Sequence, residues 1–245
     1  MSFINGNPLL SEERLMGQTA YDSTMTVRGT IQKTFGLFIL LLISGGISWN
    51  LTASGSPLAF PLLIAGFAAA IIGGLIGVFS PKTSRITAPI YALGEGLILG
   101  GISFAFNQQI QGIVFQAIIL TLGVLLVMIG LYSGRVIRAT ATFVKVVTVA
   151  TIAVCMTYLV SFALSFFGTT IPYIHESGTI GIAFSGAVVV LAALNFVLDF
   201  DMIEKGEQHG APRYMEWYGA LSIMITLVWL YINILRLLSK LSSRD

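Results

Sequence analysis

Seven long apolar runs limit the fold of this chain more than any other feature. They cover residues 34–51, 58–79, 87–106, 112–132, 144–167, 178–200 and 219–238. Each is about 20 residues long, the length that an α-helix needs to cross a hydrocarbon core of roughly 30 Å. None alternates apolar with polar residues as the strands of a membrane barrel do, and a lone span satisfies its backbone in lipid only as a helix. We therefore predict an all-α integral membrane protein with seven transmembrane helices, whose main partner is the lipid bilayer.

The charge content agrees with this class. Of the 245 residues, 56% are hydrophobic and only 10% are charged, whereas about a quarter of the residues of a soluble domain are charged. Residues 1–33 are polar and are predicted to form a cytoplasmic N-terminal segment ahead of a transmembrane domain over 34–245. The single cysteine, Cys155, lies in an apolar run, so we expect no disulfide framework.

Basic residues alternate between the two sides of the predicted bundle. They precede the first run and follow the second, fourth and sixth, whereas the loops after the first, third and fifth runs have none. The positive-inside rule then places the N-terminus in the cytoplasm. Seven crossings put Lys240 and Arg244 outside, against the rule, so a seventh segment that re-enters the membrane without crossing it is the alternative.

Two aspartates stand at the end of the sixth run. Asp199 would lie at the C-terminal end of a helix, where hydration is poor and the helix dipole disfavours negative charge. Because local structure gains nothing from an acid there, Asp199 is a candidate proton-sensing or cation-binding group. An interfacial aspartate that reaches water is the alternative. We expect Asn195 on the same helical face, and Asp201 paired with Lys205 if the helix continues.

Glu95 is predicted near the middle of the third span, between two glycines. A charge at that depth costs several kcal/mol, so this side chain must be neutral, paired or beside water. It is either a protonated group bonded to a neighbouring helix or a carboxylate that lines a polar path. The flanking glycines allow close approach of another helix in both cases.

Basic residues on the predicted cytoplasmic side are candidate partners of Asp199. Most such residues are topology signals or headgroup contacts, but one of them could clamp a carboxylate in a charge-assisted pair. The candidates are Arg85, Lys82, Arg135 and Arg138.

The polar residues between the sixth and seventh runs have simpler interpretations. Glu204 and Glu207 are expected as solvated loop charges. The Glu-Trp-Tyr stretch 216–218 is expected to begin the last helix, with the acid at the positive end of the dipole and the aromatic residues at the membrane interface.

The sequence contains no pattern that indicates catalysis or a cofactor. It has no phosphate-binding loop, no zinc-protease motif, no nucleophile elbow and no glycine-rich dinucleotide turn. His175 and His209 stand alone, without the spacing of metal ligands. We therefore expect neither an enzyme, a resident cofactor nor a nucleic-acid partner.

Several stretches resemble a known family. The sequences "LDFDMIEKG" and "GAPRYMEWYGALS", around the last turn, are similar to the C-terminal part of the Bax inhibitor-1 family, the transmembrane Bax inhibitor motif proteins. The stretch "YALGEGLILGGIS" resembles the third helix of that family, and "MTVRGTIQKTF" resembles its bacterial, YccA-like branch. The similarity covers most of residues 30–240 and implies a bacterial inner-membrane location.

The resemblance implies a fold in which six helices surround a central seventh, and it implies a pH-sensitive calcium leak. In the family, aspartates on the sixth and seventh helices share a proton, and a basic residue after the second helix latches onto the first of them. Asp199 matches the first aspartate, and Lys82 and Arg85 lie near the latch position. Thr226 lies about where the second aspartate is expected, so Asp201 or Glu95 would have to supply the second carboxylate.

Two functions follow as hypotheses. The first is a passive, pH-gated path for protons or calcium, in which Asp199 and Glu95, supported by Asn195 and Thr226, offer the oxygen ligands that calcium prefers. Calcium would then be the transported ion and not a cofactor. The second is a membrane-embedded regulator that binds other membrane proteins, for example a protease, and transports nothing.

Overall fold

The structure, a computed structural model, describes residues 24–168 and 178–243, and this part of the chain contains seven long α-helices. They are α1 Val27–Ala53, α2 Ala59–Phe79, α3 Ser84–Gln109, α4 Ile113–Ser133, α5 Ala141–Ser165, α6 Thr179–Gln208 and α7 Met215–Ser242. Each is long and apolar enough to cross a membrane. The predicted class and all seven spans are confirmed. Arg14, His175 and Arg244 lie outside the described residues.

Two helices extend well beyond the apolar runs that predicted them. α1 begins seven residues early, at Val27, because the Thr26 hydroxyl caps it by accepting the Gly29 N–H at 2.9 Å. α6 continues past its apolar run to Gln208, so Asp199 lies within α6 and not at the C-terminal end of a helix, contrary to the prediction. The interpretation of Glu204 and Glu207 as loop charges is therefore wrong: both lie on the last turns of a helix.

α7 is the central helix of the bundle. It packs against α1, α2, α3, α4 and α6, and 14 of its 28 residues are buried. α5 is the opposite case, since only Val147 is buried on it and its backbone approaches only α6. The arrangement of six helices around a central C-terminal helix is confirmed.

α3 packs closely between α1 and α2 because glycines stand at the crossings. A side chain at Gly94 would meet the backbone of Gly66 and Ala70 on α2, and one at Gly96 would meet Ser44 on α1. Lipid provides no hydrophobic drive for helix association, so such small-residue contacts hold membrane helices together. Glu95 lies between these two glycines, on the helix that α1 and α2 approach most closely.

α6 and α7 run antiparallel along their length and define the two ends of the bundle. At one end Asp199 contacts Thr226, and at the other Lys240 donates hydrogen bonds to the Gly181 carbonyl at 3.1 Å and to the Ser185 hydroxyl at 2.8 Å. We call these the Asp199 end and the Lys240 end. α7 thus runs from one end of the bundle to the other. Contacts with α6 give Lys240 hydrogen-bond partners at this end of the bundle.

A full seventh crossing predicts that the two termini lie on opposite sides of the membrane. We expect a topology reporter fused near residue 20 to report the cytoplasm and one fused after residue 240 to report the other side. Fusions in the loops after α2 and after α3 serve as paired controls, because these loops are expected on opposite sides. Cytoplasmic signals from both termini would contradict the crossing.

Candidate functional site

Asp199 lies at the contact between α6 and α7, with only 7% of its surface exposed. The Ser222 hydroxyl donates to its Oδ1 at 2.5 Å, and the Thr226 hydroxyl donates to its Oδ2 at 2.7 Å. Ser222 and Thr226 are four residues apart on α7 and therefore face the same side of that helix. Each carboxylate oxygen has one hydroxyl donor from the central helix.

In the described part of the chain, no ion pair compensates this buried carboxylate. Within residues 24–168 and 178–243 the ion pairs are Lys33–Glu216 and Lys205–Asp201, and neither includes Asp199. Burial penalises the ionised form of a carboxyl group, whereas hydrogen bonds from two donors favour it. Two opposing effects of this kind make the charge on Asp199 sensitive to small changes in its surroundings.

The basic residues proposed as latches lie near the same end but do not contact Asp199. Lys82 and Arg85 are exposed at the connection between α2 and α3, and Arg135 and Arg138 are exposed in the connection between α4 and α5. The hydrogen bonds recorded for the Asp199 carboxylate come from two hydroxyls of α7. The latch stays a prediction.

The two supporting polar residues, Thr226 and Asn195, contact different helices. Thr226 contacts Asp199 directly, at the place where the second aspartate is missing. Asn195, in contrast, donates to the Thr151 hydroxyl and to the Leu191 carbonyl, both at 2.9 Å. It therefore joins α6 to α5 and is not part of the hydrogen bonds around Asp199, contrary to expectation.

Neither candidate for the second carboxylate lies beside Asp199. Asp201 forms the expected ion pair with Lys205 on its own helix, at 2.6 Å, and its position two residues on turns it to another face of α6. Glu95 lies on α3, which makes no contact with α6; its interaction partner is Tyr91, one turn earlier. The described residues contain no group of three or more His, Cys, Asp or Glu that could hold a metal ion. The calcium site expected from Asp199 and Glu95 is therefore not assembled in this structure.

The position of Glu95 gives a stability prediction. It lies half-buried on the face of α3 that also carries the buried Tyr91, Ala92 and Leu99. We expect Glu95→Gln to fold normally, because an amide keeps the size and the hydrogen bonding, and Glu95→Lys to be less stable by roughly 3 kcal/mol, because a charge on this face has no counter-ion. Unfolding in detergent measures both variants. Equal stability of the lysine variant would mean that this position faces water.

A second polar cluster joins α1 to α7, and we call Thr26, Lys33 and Glu216 the α1–α7 clasp. Glu216 is only 3% exposed. Its Oε1 accepts the Thr26 N–H at 3.0 Å and the Thr26 hydroxyl at 2.9 Å, and its Oε2 forms an ion pair with Lys33. The Lys33 ammonium also lies 5.5 Å from the centre of the Trp217 ring. The carboxylate is thus fully engaged by α1.

The clasp is extended by contacts between the start of α1 and the turn before α7. The Met25 N–H donates to the Ala211 carbonyl at 2.6 Å, and the Val27 N–H donates to Glu207 Oε1 at 3.0 Å. The first N–H groups of α1, which have no partner within their own helix, are therefore bonded by acids of α6 and α7. The N-terminus of α1 is tied to the same segment that connects Asp199 to its hydroxyl donors.

The sequence interpretation of this region was incomplete. The Glu-Trp-Tyr stretch does begin the last helix, which is confirmed, but the carboxylate of Glu216 binds α1 and does not only complement the helix dipole. Lys33 is one of the basic residues that precede the first apolar run and indicated the topology. In the structure it forms an ion pair with Glu216, a residue 183 positions away. Ser222 carried a usable signal, since it stands one turn before Thr226 on the same face.

Seven membrane-length helices around a buried C-terminal helix, with a hydrogen-bonded carboxylate in the contact between the last two, define a polytopic helical membrane protein with an internal polar site. The chain belongs to the Bax inhibitor 1 like family, whose family model matches residues 7–243. In the comparisons with curated proteins and with solved structures, nothing matches.

Proposed function

We propose that this protein is a pH-sensitive cation leak, that calcium is its ion, and that protonation of Asp199 opens it. The observation that supports this proposal is the buried carboxylate that joins α6 to the central helix through two hydroxyls and no cation. The proposal includes a bacterial inner-membrane location with a cytoplasmic N-terminus, membership of the YccA-like branch, and no enzymatic activity.

The hydrogen bonds of Asp199 provide the gate. Bonds to an ionised carboxylate are roughly twice as strong as bonds between neutral groups. When acid neutralises Asp199, the two bonds to Ser222 and Thr226 weaken, and α6 is held less firmly to α7 at the Asp199 end. A loss of about 1.4 kcal/mol changes a two-state equilibrium tenfold, so these two bonds are sufficient to shift a balanced gate.

The same groups supply oxygen ligands to a passing ion. Calcium binds carboxylate and other oxygen atoms, and the Asp199 carboxylate together with the Ser222 and Thr226 hydroxyls places oxygen atoms in one contact between two helices. Once the contact separates, these oxygens face the space between α6 and α7. A short polar passage of this kind suits a leak and not a tight binding site.

Calcium flux through the purified protein in liposomes tests the proposal. We expect entry to increase as the pH falls from about 8 to about 6. Asp201→Asn is the matched control: it removes a carboxylate from the same helix, two residues away, but one that is paired with Lys205, so its pH profile should equal that of the wild type. No flux from any variant would contradict the leak and favour the regulator that binds other membrane proteins, for example a protease.

A further inference from the structure

We propose that the cavity between α1 and α4 is a binding site for one phospholipid with an ethanolamine headgroup. The cavity has a volume of about 1130 Å³. It lies between α1 and α4, whose backbones do not approach each other, and residues of α6 and α7 line the rest of it. This site is separate from Asp199, which does not line it.

The interior of the cavity is apolar. The residues that line it include Phe35, Phe38, Leu125, Ile129 and Leu227 of α7. Phe35 is 64% exposed, so this side of the cavity is not covered by another helix. A second, apolar cavity of about 210 Å³ lies beside it and has Phe38, Leu122 and Leu227 in common with its lining. We call the larger cavity the groove; its apolar lining suits an acyl chain.

The depth of the cavity corresponds to one leaflet. Leu122 and Tyr132 line its two ends on α4 and are ten residues apart. At 1.5 Å per residue they are about 15 Å apart along the helix, which is half of a hydrocarbon core of roughly 30 Å. The charged lining residues lie beyond Tyr132, at the Asp199 end. An acyl chain in this groove would therefore place its phosphate at the level of these charges.

The charges at the mouth are complementary to a zwitterion. Arg135 and Arg138 are exposed and belong to neither ion pair of the described chain. Glu204 accepts hydrogen bonds from the Tyr132 hydroxyl at 2.5 Å and from Gln208 at 3.2 Å, and Glu207 accepts one from a backbone N–H.

Lys205 and Asp201, which also line the mouth, neutralise each other. The remaining charges are two guanidinium groups and two carboxylates with neutral partners. Guanidinium groups bind phosphate in a planar, bidentate manner, and the carboxylates accept hydrogen bonds from a primary ammonium. A headgroup that has both a phosphate and a primary amine offers a partner to the two guanidinium groups and to the two carboxylates. A purely anionic headgroup offers no partner to the two carboxylates.

Native mass spectrometry of the full-length protein, delipidated in detergent, tests this proposal. The probes are dioleoyl lipids with ethanolamine, choline and glycerol headgroups. We expect one ethanolamine lipid to bind per chain, more tightly than the other two. The variants Arg135→Gln and Arg138→Gln should each bind it roughly fivefold more weakly. Arg28→Gln is the control, because Arg28 is exposed on α1 near the same end and does not line the cavity.

Other outcomes would overturn the assignment. Equal binding by the arginine variants and the control would show an adventitious lipid only, and tighter binding of the glycerol lipid would contradict the zwitterionic headgroup. Leu125→Trp fills the groove and leaves the mouth unchanged, so it should abolish binding; retained binding would place the lipid elsewhere. A photo-crosslinker at residue 125 should be joined to a lipid-sized mass, and a protein-sized mass would show that a partner helix occupies the groove.

Discussion

Asp199→Asn is expected to leak calcium into liposomes at neutral pH, at a rate that the wild type reaches only in acid. The amide has no charge at any pH, so it cannot form the charge-assisted hydrogen bonds that join α6 to Ser222 and Thr226. Its amide nitrogen donates where a carboxylate oxygen accepts, so one hydroxyl must rotate and accept instead of donate. The variant therefore imitates the protonated state permanently, and its flux should change little between about pH 6 and 8.

Two companion variants identify what holds the gate closed. Arg85→Ala should behave like the wild type if the hydroxyls of α7 hold Asp199, and should leak at neutral pH if Arg85 is a latch in another state. Thr226→Asp places a second carboxylate at the atom that now contacts Asp199. Two acids that share a proton titrate as a coupled pair in two separated steps, so this variant should respond over a different and wider pH range than the wild type.

Flux from Asp199→Asn with the pH profile of the wild type would contradict the role of Asp199 as the proton sensor. If Asp199→Asn does not fold, Ser222→Ala tests the same role, because it removes one of the two hydrogen-bond donors and keeps the acid. That change should raise the neutral-pH flux by a smaller amount, since the Thr226 bond remains.

The spans were predictable from the sequence because a bilayer imposes one requirement on every crossing: about 20 apolar residues in a helix. Their ends were less predictable. α6 extends to Gln208 because Asp201 and Lys205 pair along the helix, and the ends of a membrane helix outside lipid follow such local contacts and not hydropathy. The central place of α7 was expected from the family resemblance and not from composition.

The site was only partly predictable, for a reason that Asp199 and Glu216 illustrate. The position of an acid shows that it needs a partner, but not which helix supplies it. Thr226 was predicted near Asp199 only because it stands where the resemblance puts a second aspartate. Asn195 lies on the expected face of α6, but it donates a hydrogen bond to Thr151 of α5. Lys33 and Glu216 meet across most of the chain, and no local pattern connects them.

The α1–α7 clasp should make the largest contribution of any single polar contact to stability. Lys33→Met leaves the Glu216 carboxylate buried with only the two donors of Thr26. Removing one partner of a buried ion pair strands the other charge, and we expect a loss of about 3 kcal/mol. Unfolding in detergent at neutral pH measures this loss. Arg28→Met is the matched control, because it removes an exposed basic residue from the first turn of the same helix, α1, and should change stability little.

The double variant Lys33→Met with Glu216→Gln separates a stranded charge from lost packing. The glutamine carries no charge and can still accept the hydrogen bonds of Thr26, so the double variant should recover most of the stability that Lys33→Met loses. Such a result gives a coupling energy between the two positions that only a direct contact explains. If the stability losses of Lys33→Met and Glu216→Gln, each measured alone, simply add in the double variant, the ion pair does not stabilise the fold. The hydrogen bonds that Met25 and Val27 donate to Ala211 and Glu207 must then hold α1 in place instead.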